Sequence, residues 1–154
     1  MKIFNIDNGW TIKLPENWKE ERDEIDGYYI YYPTDRDLTI RISTFHFFKN
    51  IENDWKILAS VDDLSEIFNK SIKKIEIRNN TKVEGKKLNL NEFKIEEFKV
   101  ECYEYNYYEN NEKVYGISCG IMVAGYLLIV NLYSALKEEV ESAIKYIYSI
   151  EKVK

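Results

Sequence analysis

Side chains able to do chemistry are sparse in this 154-residue chain. The single histidine, His46, stands in the run Phe45-His46-Phe47-Phe48 with no cysteine or acidic pattern beside it. A catalytic triad needs a histidine together with a nucleophile and an orienting carboxylate. A zinc site needs several ligands at characteristic spacings. We therefore expect His46 to be a packed or surface side chain, with a catalytic role as the minor alternative.

Cys102 and Cys119 lack the C-x-x-C spacing of metal and redox motifs. The strand register described below predicts that they lie side by side on the core face of a hairpin. We expect two buried, reduced thiols, which are typical of a cytoplasmic protein. A cross-strand disulfide is the alternative.

The acidic residues offer no stronger pattern. They occur in neighbouring pairs, which are typical of solvated turns and helix ends: Asp35/Asp37, Asp62/Asp63, Glu96/Glu97 and Glu138/Glu139. A calcium loop would need a glycine and further ligands at set positions. Glu104 either marks the end of the core or is a buried acid with a perturbed pKa, and we favour the first. No phosphate-binding loop or nucleophile elbow occurs. The sequence predicts a non-enzyme with no cofactor and no metal site.

Composition limits the class of protein. Hydrophobic residues make up 45% and charged residues 32% of the chain, which is typical of one globular domain spanning residues 1–154. The net charge of −5 argues against nucleic acid as a partner, because phosphates require concentrated Lys and Arg. We see no signal peptide in Met1–Lys13 and no apolar run long enough for a membrane span. The predicted location is the cytoplasm, without membrane insertion.

Residues 98–133 predict a three-stranded antiparallel meander. Turns at Asn110–Asn111 and Ala124–Gly125 suit tight hairpins, which need positive φ. They set Phe98, Val100 and Cys102 opposite Val123, Ile121 and Cys119. They also set Val123, Ile121, Cys119 and Ile117 opposite Tyr126, Leu128, Val130 and Leu132. One face of the meander is therefore apolar almost throughout, as period-2 alternation requires.

Other segments show the same alternation or a helical period. Strands are predicted at Ile3–Ile6, Gly9–Leu14, Tyr28–Tyr32, Leu38–Thr44 and about Lys87–Leu90, and Phe45–Val61 is predicted to be a loop. Helix one begins near Asp62 and ends at Asn79–Asn80, with an apolar face of Leu64, Ile67, Phe68, Ile72 and Ile75. Helix two runs from about Leu136 to Ile150, with Ser134 as its N-cap.

Helix two follows the last strand directly, so we expect it to cover the fully apolar face of the meander. The opposite face is also too apolar for water, and helix one should cover much of it. That face carries Tyr103, Tyr105, Tyr107, Val114, Met122, Leu127, Ile129 and Tyr133. The predicted fold class is α+β: an antiparallel sheet of about six strands packed by two main helices, in an α/β/α sandwich.

The stretch from Gly9 to Trp18 resembles the opening of the PsbP-like superfamily. Its most specific part is Leu14-Pro15-x-x-Trp18, a strand ended by proline with a tryptophan three residues later. The hairpin of Tyr28–Pro33 and Leu38–Ser43 and the closing strand and helix are similar too. The superfamily includes the extrinsic photosystem II protein, a Ran-binding import factor, DcrB-like lipoproteins and Eag-type chaperones. The resemblance implies a PsbP-like sandwich that binds proteins without chemistry, and it implies no catalytic residue.

The functional hypothesis is a small cytoplasmic protein-binding module of bacterial type: an adaptor, chaperone or immunity-type protein. The partner is another protein, and a homodimer is compatible with the sequence. The proposed anchors are aromatic, since interfaces are enriched in such side chains: Phe47, Phe48 and Trp55 in the loop, and Tyr103, Tyr105 and Tyr107 on one strand. Burial of these side chains within one chain is the plain alternative. The other functions considered are a small apolar-ligand carrier, with a pocket between sheet and helix one, and a hydrolase using His46 or Glu104.

Overall fold

The computed structural model describes residues 1–23, 25, 27–46, 61–90, 99–123 and 125–153. Within them lie two α-helices and ten strands. The helices are α1 (Val61–Asn79) and α2 (Lys137–Ile147). The strands are β1 (Lys2–Ile6), β2 (Trp10–Leu14), β3 (Trp18–Asp23), β4 (Tyr28–Pro33), β5 (Thr39–His46), β6 (Glu84–Leu88), β7 (Lys99–Glu109), β8 (Glu112–Val123), β9 (Tyr126–Ser134) and β10 (Glu151–Lys152).

The strands form two antiparallel sheets. The smaller has the order β1-β2-β10, and the larger has seven strands in the order β3-β4-β5-β9-β8-β7-β6. The α+β class is confirmed, and there are more strands than the six or so expected. The sequence analysis missed β3 because it has no apolar alternation: after Trp18 it reads Lys-Glu-Glu-Arg-Asp. It is an edge strand, where charged side chains discourage pairing with another chain.

The predicted register of the meander is confirmed in both hairpins. Val100 pairs with Ile121, and Cys102 pairs with Cys119. In the second hairpin Ile121 pairs with Leu128 and Cys119 with Val130. Asn110 and Asn111 have φ of 51° and 66°, the left-handed conformation that a two-residue hairpin turn requires. Phe98 and Ala124 lie outside the described residues.

The main core lies between α2, the small sheet and the apolar face of the meander. Trp10, Trp18 and Ile12 are fully buried there, and the Trp18 ring meets the Tyr146 ring edge-on at 5.4 Å. Trp18 therefore lies in the core, three residues after Pro15. Val140, Ala143 and Ile147 lie on the buried face of α2 and contribute to the same core.

The expectation of two reduced thiols was wrong. Cys102 and Cys119 are joined by a disulfide in this core, and each is 1% exposed. Their predicted positions side by side on the core face are confirmed. The bond follows from the register, because directly opposed residues bring their Cα atoms to 4.1 Å.

The predicted bounds of two elements need correction. β6 ends at Leu88, before the predicted Leu90, and α2 runs from Lys137 to Ile147, within the predicted Leu136–Ile150. Ser134 is not the N-cap of α2; Leu136 occupies that position without a side-chain cap. The Ser134 hydroxyl accepts a hydrogen bond from the Leu136 amide at 3.0 Å and donates one to the Asp37 carbonyl.

α1 lies on the other face of the large sheet, over β7, so the two helices and the sheet form the predicted sandwich. The Phe68 ring stacks on the Tyr103 ring at 4.1 Å. Asn80, at φ 48°, follows the helix as the predicted stop. Within the residues described, no helix is both long and apolar enough to cross a membrane.

Candidate binding site

A cleft lies between α1 and the face of the large sheet opposite α2. Its cavity has a volume of about 590 Å³. One wall is α1, from Ile67 to Arg78, and the other is β7, from Glu101 to Glu109. Residues of β5, β8 and β9 form the floor. The cleft exists because α1 packs on β7, near one edge of the sheet, and the floor belongs to the central strands.

Aromatic side chains form the β7 wall. Tyr103, Tyr105 and Tyr107 share one face of the strand, as alternation requires. The Tyr105 and Tyr107 rings are stacked with centroids 6.2 Å apart, and Phe68 lies 6.2 Å from Tyr105. Burial raises the pKa of the Tyr105 and Tyr107 phenols above the usual value. These phenols remain neutral in the folded protein at physiological pH.

Gly116 leaves room for the Tyr105 ring on the sheet. Gly85 on β6 and Gly116 on β8 flank Tyr105 in the ladder. A Cβ atom on Gly116 would overlap the Tyr105 ring. Gly116 therefore relieves crowding against the Tyr105 ring.

The floor carries hydrogen-bonding side chains in one row across the strands. Tyr103 pairs with Ser118, Ser118 with Asn131, and Asn131 with Arg41. Directly opposed residues on one face have Cβ atoms about 5 Å apart, so a phenol, a hydroxyl, an amide and a guanidinium follow one another. The Arg41 guanidinium lies 3.8 Å from the centroid of the Tyr28 ring, which holds it at the end of the row.

A buried carboxylate lies beside this row. Glu101 is 6% exposed, and its Oε1 accepts a hydrogen bond from Lys87 Nζ at 2.7 Å. Its Oε2 is buried and has no hydrogen-bond partner among the residues described. Burial raises the pKa of the neighbouring Tyr103, and the Glu101 carboxylate adds to that shift.

Sequence reasoning singled out the wrong glutamate on this strand. Glu104 is 33% exposed and pairs with Lys86 Nζ at 3.0 Å, so it marks the end of the core as favoured. Glu101 was missed, although strand alternation could have found it. It lies two residues before Tyr103 on β7, so both side chains point to the same face of the strand.

Three cations also line the cleft: Arg41, Lys74 and Arg78. All three are exposed. Within the part of the chain that the structure describes, none of them lies within 4.0 Å of a carboxylate. Glu109 lines the far end of the cleft. With Glu101 already paired to Lys87, the accessible charge of the described residues that line the cleft is mainly positive.

The structure places only some of the predicted anchors. Tyr103 is half-buried, while Tyr105 and Tyr107 are each 9% exposed. All three belong to the wall of the cleft and not to an open surface. Phe47, Phe48 and Trp55 lie outside the described residues. His46 is the last residue of β5, opposite Tyr126, and its side chain is outside the described part. No group of three or more His, Cys, Asp or Glu side chains suited to a metal occurs among the described residues.

No protein-family model matches the chain, and no curated protein matches it in sequence. Solved structures do match. The solution structure of cyanobacterial PsbP (CyanoP) from Synechocystis sp. PCC 6803 has a TM-score of 0.68 at 10% identity, covering 99% of this chain and 92% of that one. A crystal structure from Bacteroides thetaiotaomicron VPI-5482 has a TM-score of 0.57 at 13% identity, and this chain spans 46% of its length. The chain has a PsbP-like fold, as the resemblance predicted.

Proposed function

We propose that this PsbP-like chain is a non-enzymatic protein-binding module, of the adaptor, chaperone or immunity type, and that the cleft under α1 is its binding site. The observation that carries the proposal is the cleft itself, with an aromatic wall and arginines at its rim. Tyrosine and arginine are enriched among the residues that dominate binding energies. The proposed site keeps Tyr103, Tyr105 and Tyr107 as its wall.

The lining residues suit recognition. Phenols, hydroxyls, an amide and guanidinium groups can each donate hydrogen bonds to a bound chain. Among the described residues, no histidine or cysteine lines the cleft, and these are frequent bases and nucleophiles of hydrolases. This composition supports binding over hydrolysis.

The length of the cleft suits an extended segment of a partner. The α1 residues that line it run from Ile67 to Arg78, which is about 16 Å at about 1.5 Å per residue. An extended chain covers that distance with about five residues at about 3.3 Å each. A segment of this size would contact both walls and the floor at once.

Site-specific photo-crosslinking tests the proposal. A benzophenone amino acid replaces Ser71, an exposed residue lining the cleft, or Ser142, an exposed residue of α2 on the far side of the sheet. We expect position 71 to cross-link a defined protein in host cells and position 142 to cross-link none. Identical products from both positions, or none from position 71, would contradict the proposal.

Cellular location is part of the proposal. The sequence analysis predicted the cytoplasm, but a disulfide between Cys102 and Cys119 is typical of proteins that fold in oxidising compartments. We therefore propose that the protein works in a non-reducing compartment. Both cysteines are buried, so the test is acid quenching of the cells followed by alkylation of the unfolded protein without a reductant. Two unmodified cysteines would support a non-reducing location, and two alkylated ones would favour the cytoplasm.

A small-ligand carrier is the second candidate, favoured by the volume of the cavity. About 590 Å³ lies within the range of about 300–1,000 Å³ seen for small-molecule sites. Native mass spectrometry of protein purified gently from its host tests it. A constant additional mass that organic solvent removes would support carriage of a ligand.

A further inference from the structure

We propose that the cleft recognises an extended acidic segment, in which carboxylates stand beside an apolar side chain. This inference rests on the proposed function and names the chemistry of the partner. Three features support it: the cations at the rim, the hydrogen-bond donors on the floor and the buried Oε2 atom of Glu101.

The rim supplies cations at two places. Lys74 and Arg78 are four residues apart on α1, so they lie on one face of the helix. Arg41 extends from β5 on the sheet side. Guanidinium groups bind carboxylates through paired hydrogen bonds. In a chain of net charge −5, these three cations, which have no carboxylate partner among the described residues, are complementary to an acidic partner.

The floor supplies neutral donors between these cations. Ser118 and Asn131 are adjacent in the ladder and line the cleft. Neither side chain has a hydrogen-bond partner within the described residues. A hydroxyl and an amide can bind the carbonyl or carboxylate oxygens of a segment lying along the sheet.

Glu101 is a buried carboxylate in a cleft whose accessible charges are mainly positive. An extended segment could supply a hydrogen bond to it. Lys87 neutralises its charge, while Oε2 is buried without a hydrogen-bond partner among the residues that the structure describes. A buried acceptor without a donor costs about 1–3 kcal/mol. A backbone N–H of the bound segment can supply that donor whatever the segment's side chains are. The apolar side chain of the segment would meet Tyr103 and Phe45, which is 42% exposed.

The test uses two synthetic peptides that differ only in charge: acetylated, amidated Glu-Phe-Glu-Phe-Glu and Lys-Phe-Lys-Phe-Lys. Isothermal titration at low salt should show the acidic peptide binding at least tenfold more tightly. Its affinity should fall at high salt, because exposed charges are then screened.

Two double variants locate the binding. Lys74→Glu/Arg78→Glu should weaken binding of the acidic peptide at least tenfold and should strengthen binding of the basic peptide. Lys70→Glu/Lys73→Glu is the matched control, since it makes the same change of charge on exposed residues of α1 that do not line the cleft. It should change affinity less than threefold. Thermal melts confirm that both variants fold.

Three outcomes would overturn the inference: equal affinity for the two peptides, equal weakening by both double variants, or no binding of either peptide. Binding of free 8-anilinonaphthalene-1-sulfonate that depends on Lys74 and Arg78, without peptide binding, would also overturn it in favour of a small anionic ligand. Cross-linking from position 71 does not depend on the charge of the partner. It therefore separates failure of this inference from failure of the proposed function.

Discussion

At the scale of single residues, two adjacent lysines on β6 form ion pairs with glutamates that differ in burial. Lys86 pairs with Glu104, whose side chain is 33% exposed, and Lys87 pairs with Glu101, whose side chain is 6% exposed. Water can replace Lys86 at Glu104 but has little access to Glu101. The two lysines are a matched pair for measuring the effect of burial.

Lys87→Met should lower the free energy of unfolding by about 1–3 kcal/mol, because it leaves a buried carboxylate without its cation. Lys86→Met should change it by less than about 1 kcal/mol, as exposed ion pairs do. Urea denaturation of both variants measures the difference. Equal losses would mean that Glu101 is solvated.

Gly116→Ala should destabilise the fold by about 1–3 kcal/mol, because the new methyl group overlaps the Tyr105 ring in a packed layer. Gly85→Ala, at the ladder partner of Tyr105 on β6, is the control, because the atoms nearest to a Cβ there are the Glu104 carbonyl oxygen and the Ile72 side chain, both at 3.4 Å. Gly85→Ala should lower the free energy of unfolding by clearly less than Gly116→Ala does. Thermal and urea denaturation give the values, and an unaffected Gly116→Ala would show that Tyr105 lies elsewhere.

Tyr105 makes stability depend on alkaline pH. Its pKa is raised by burial in the folded state, whereas it is about 10 in the unfolded chain. Above pH 10 the unfolded state loses this proton and the folded state keeps it. The free energy of unfolding must therefore fall as pH rises, and the stabilisation is complete only below pH 10.

Tyr105→Phe should flatten this decline between pH 9.5 and 11, while Tyr108→Phe, a change at an exposed residue, should not. Urea denaturation across that range is the measurement. A decline of the same slope in wild type and Tyr105→Phe would show that Tyr105 ionises normally in the folded protein.

At the scale of elements, the junction between β9 and α2 depends on one hydroxyl. Ser134 is 3% exposed and links the Asp37 carbonyl, just before β5, to the Leu136 amide. A second bond joins the Ala135 amide to the Asp37 carboxylate at 3.0 Å. These bonds set the angle at which the chain leaves the sheet for the helix, in place of a side-chain cap.

Ser134→Ala should cost about 1–2 kcal/mol, because it leaves buried backbone groups unpaired. Ser142→Ala, at an exposed site on α2, should cost less than about 0.5 kcal/mol. Circular dichroism during thermal unfolding compares the two. Similar melting temperatures would indicate that water replaces the hydroxyl.

The position of α1 on the sheet creates the cleft. Its apolar face packs on β7 through Phe68, and Ile72 and Ile75 adjoin the same cluster with Tyr105 and Tyr107. Lys74 and Arg78 then border the space above the central strands. A helix centred over β8 and β9 would fill that space and leave no site.

At the scale of the whole molecule, the disulfide ties together strands of the central meander. It closes a loop with a sequence separation of 17, for which restriction of the unfolded chain corresponds to about 3 kcal/mol. The bond also lies against the core that α2 covers. Its effect should therefore extend to unfolding of the entire domain.

Reduction should lower the free energy of unfolding by about 3 kcal/mol and leave the fold intact. Guanidinium denaturation with and without a phosphine reductant measures the loss. Cys102→Ala/Cys119→Ala is the control and should not respond to the reductant. Modification of both cysteines by iodoacetamide in unfolded, unreduced protein would show that the bond does not form.

Much of this architecture could be predicted from local pattern. Residues 99–133 alternate so regularly that only one register buries one face, and a shift of one residue would expose it. Leu14-Pro15-x-x-Trp18 predicted a strand that ends at a proline, and it carried the resemblance to the PsbP-like fold. β3 was not predicted because a charged edge strand is stabilised by pairing with its neighbour, here β4. No pattern within β3 itself reveals that pairing.

The sequence by itself determined the meander register, the two amphipathic helices and the opposed positions of Cys102 and Cys119, because alternation and helical period are properties of neighbouring residues. Only the tertiary structure decided that Arg41, Glu101 and Lys74 border one cavity. They come from β5, β7 and α1, and no local pattern relates elements so far apart in the chain. The position of α1 on the sheet is set by packing between elements that are distant in sequence, and that packing forms the cleft.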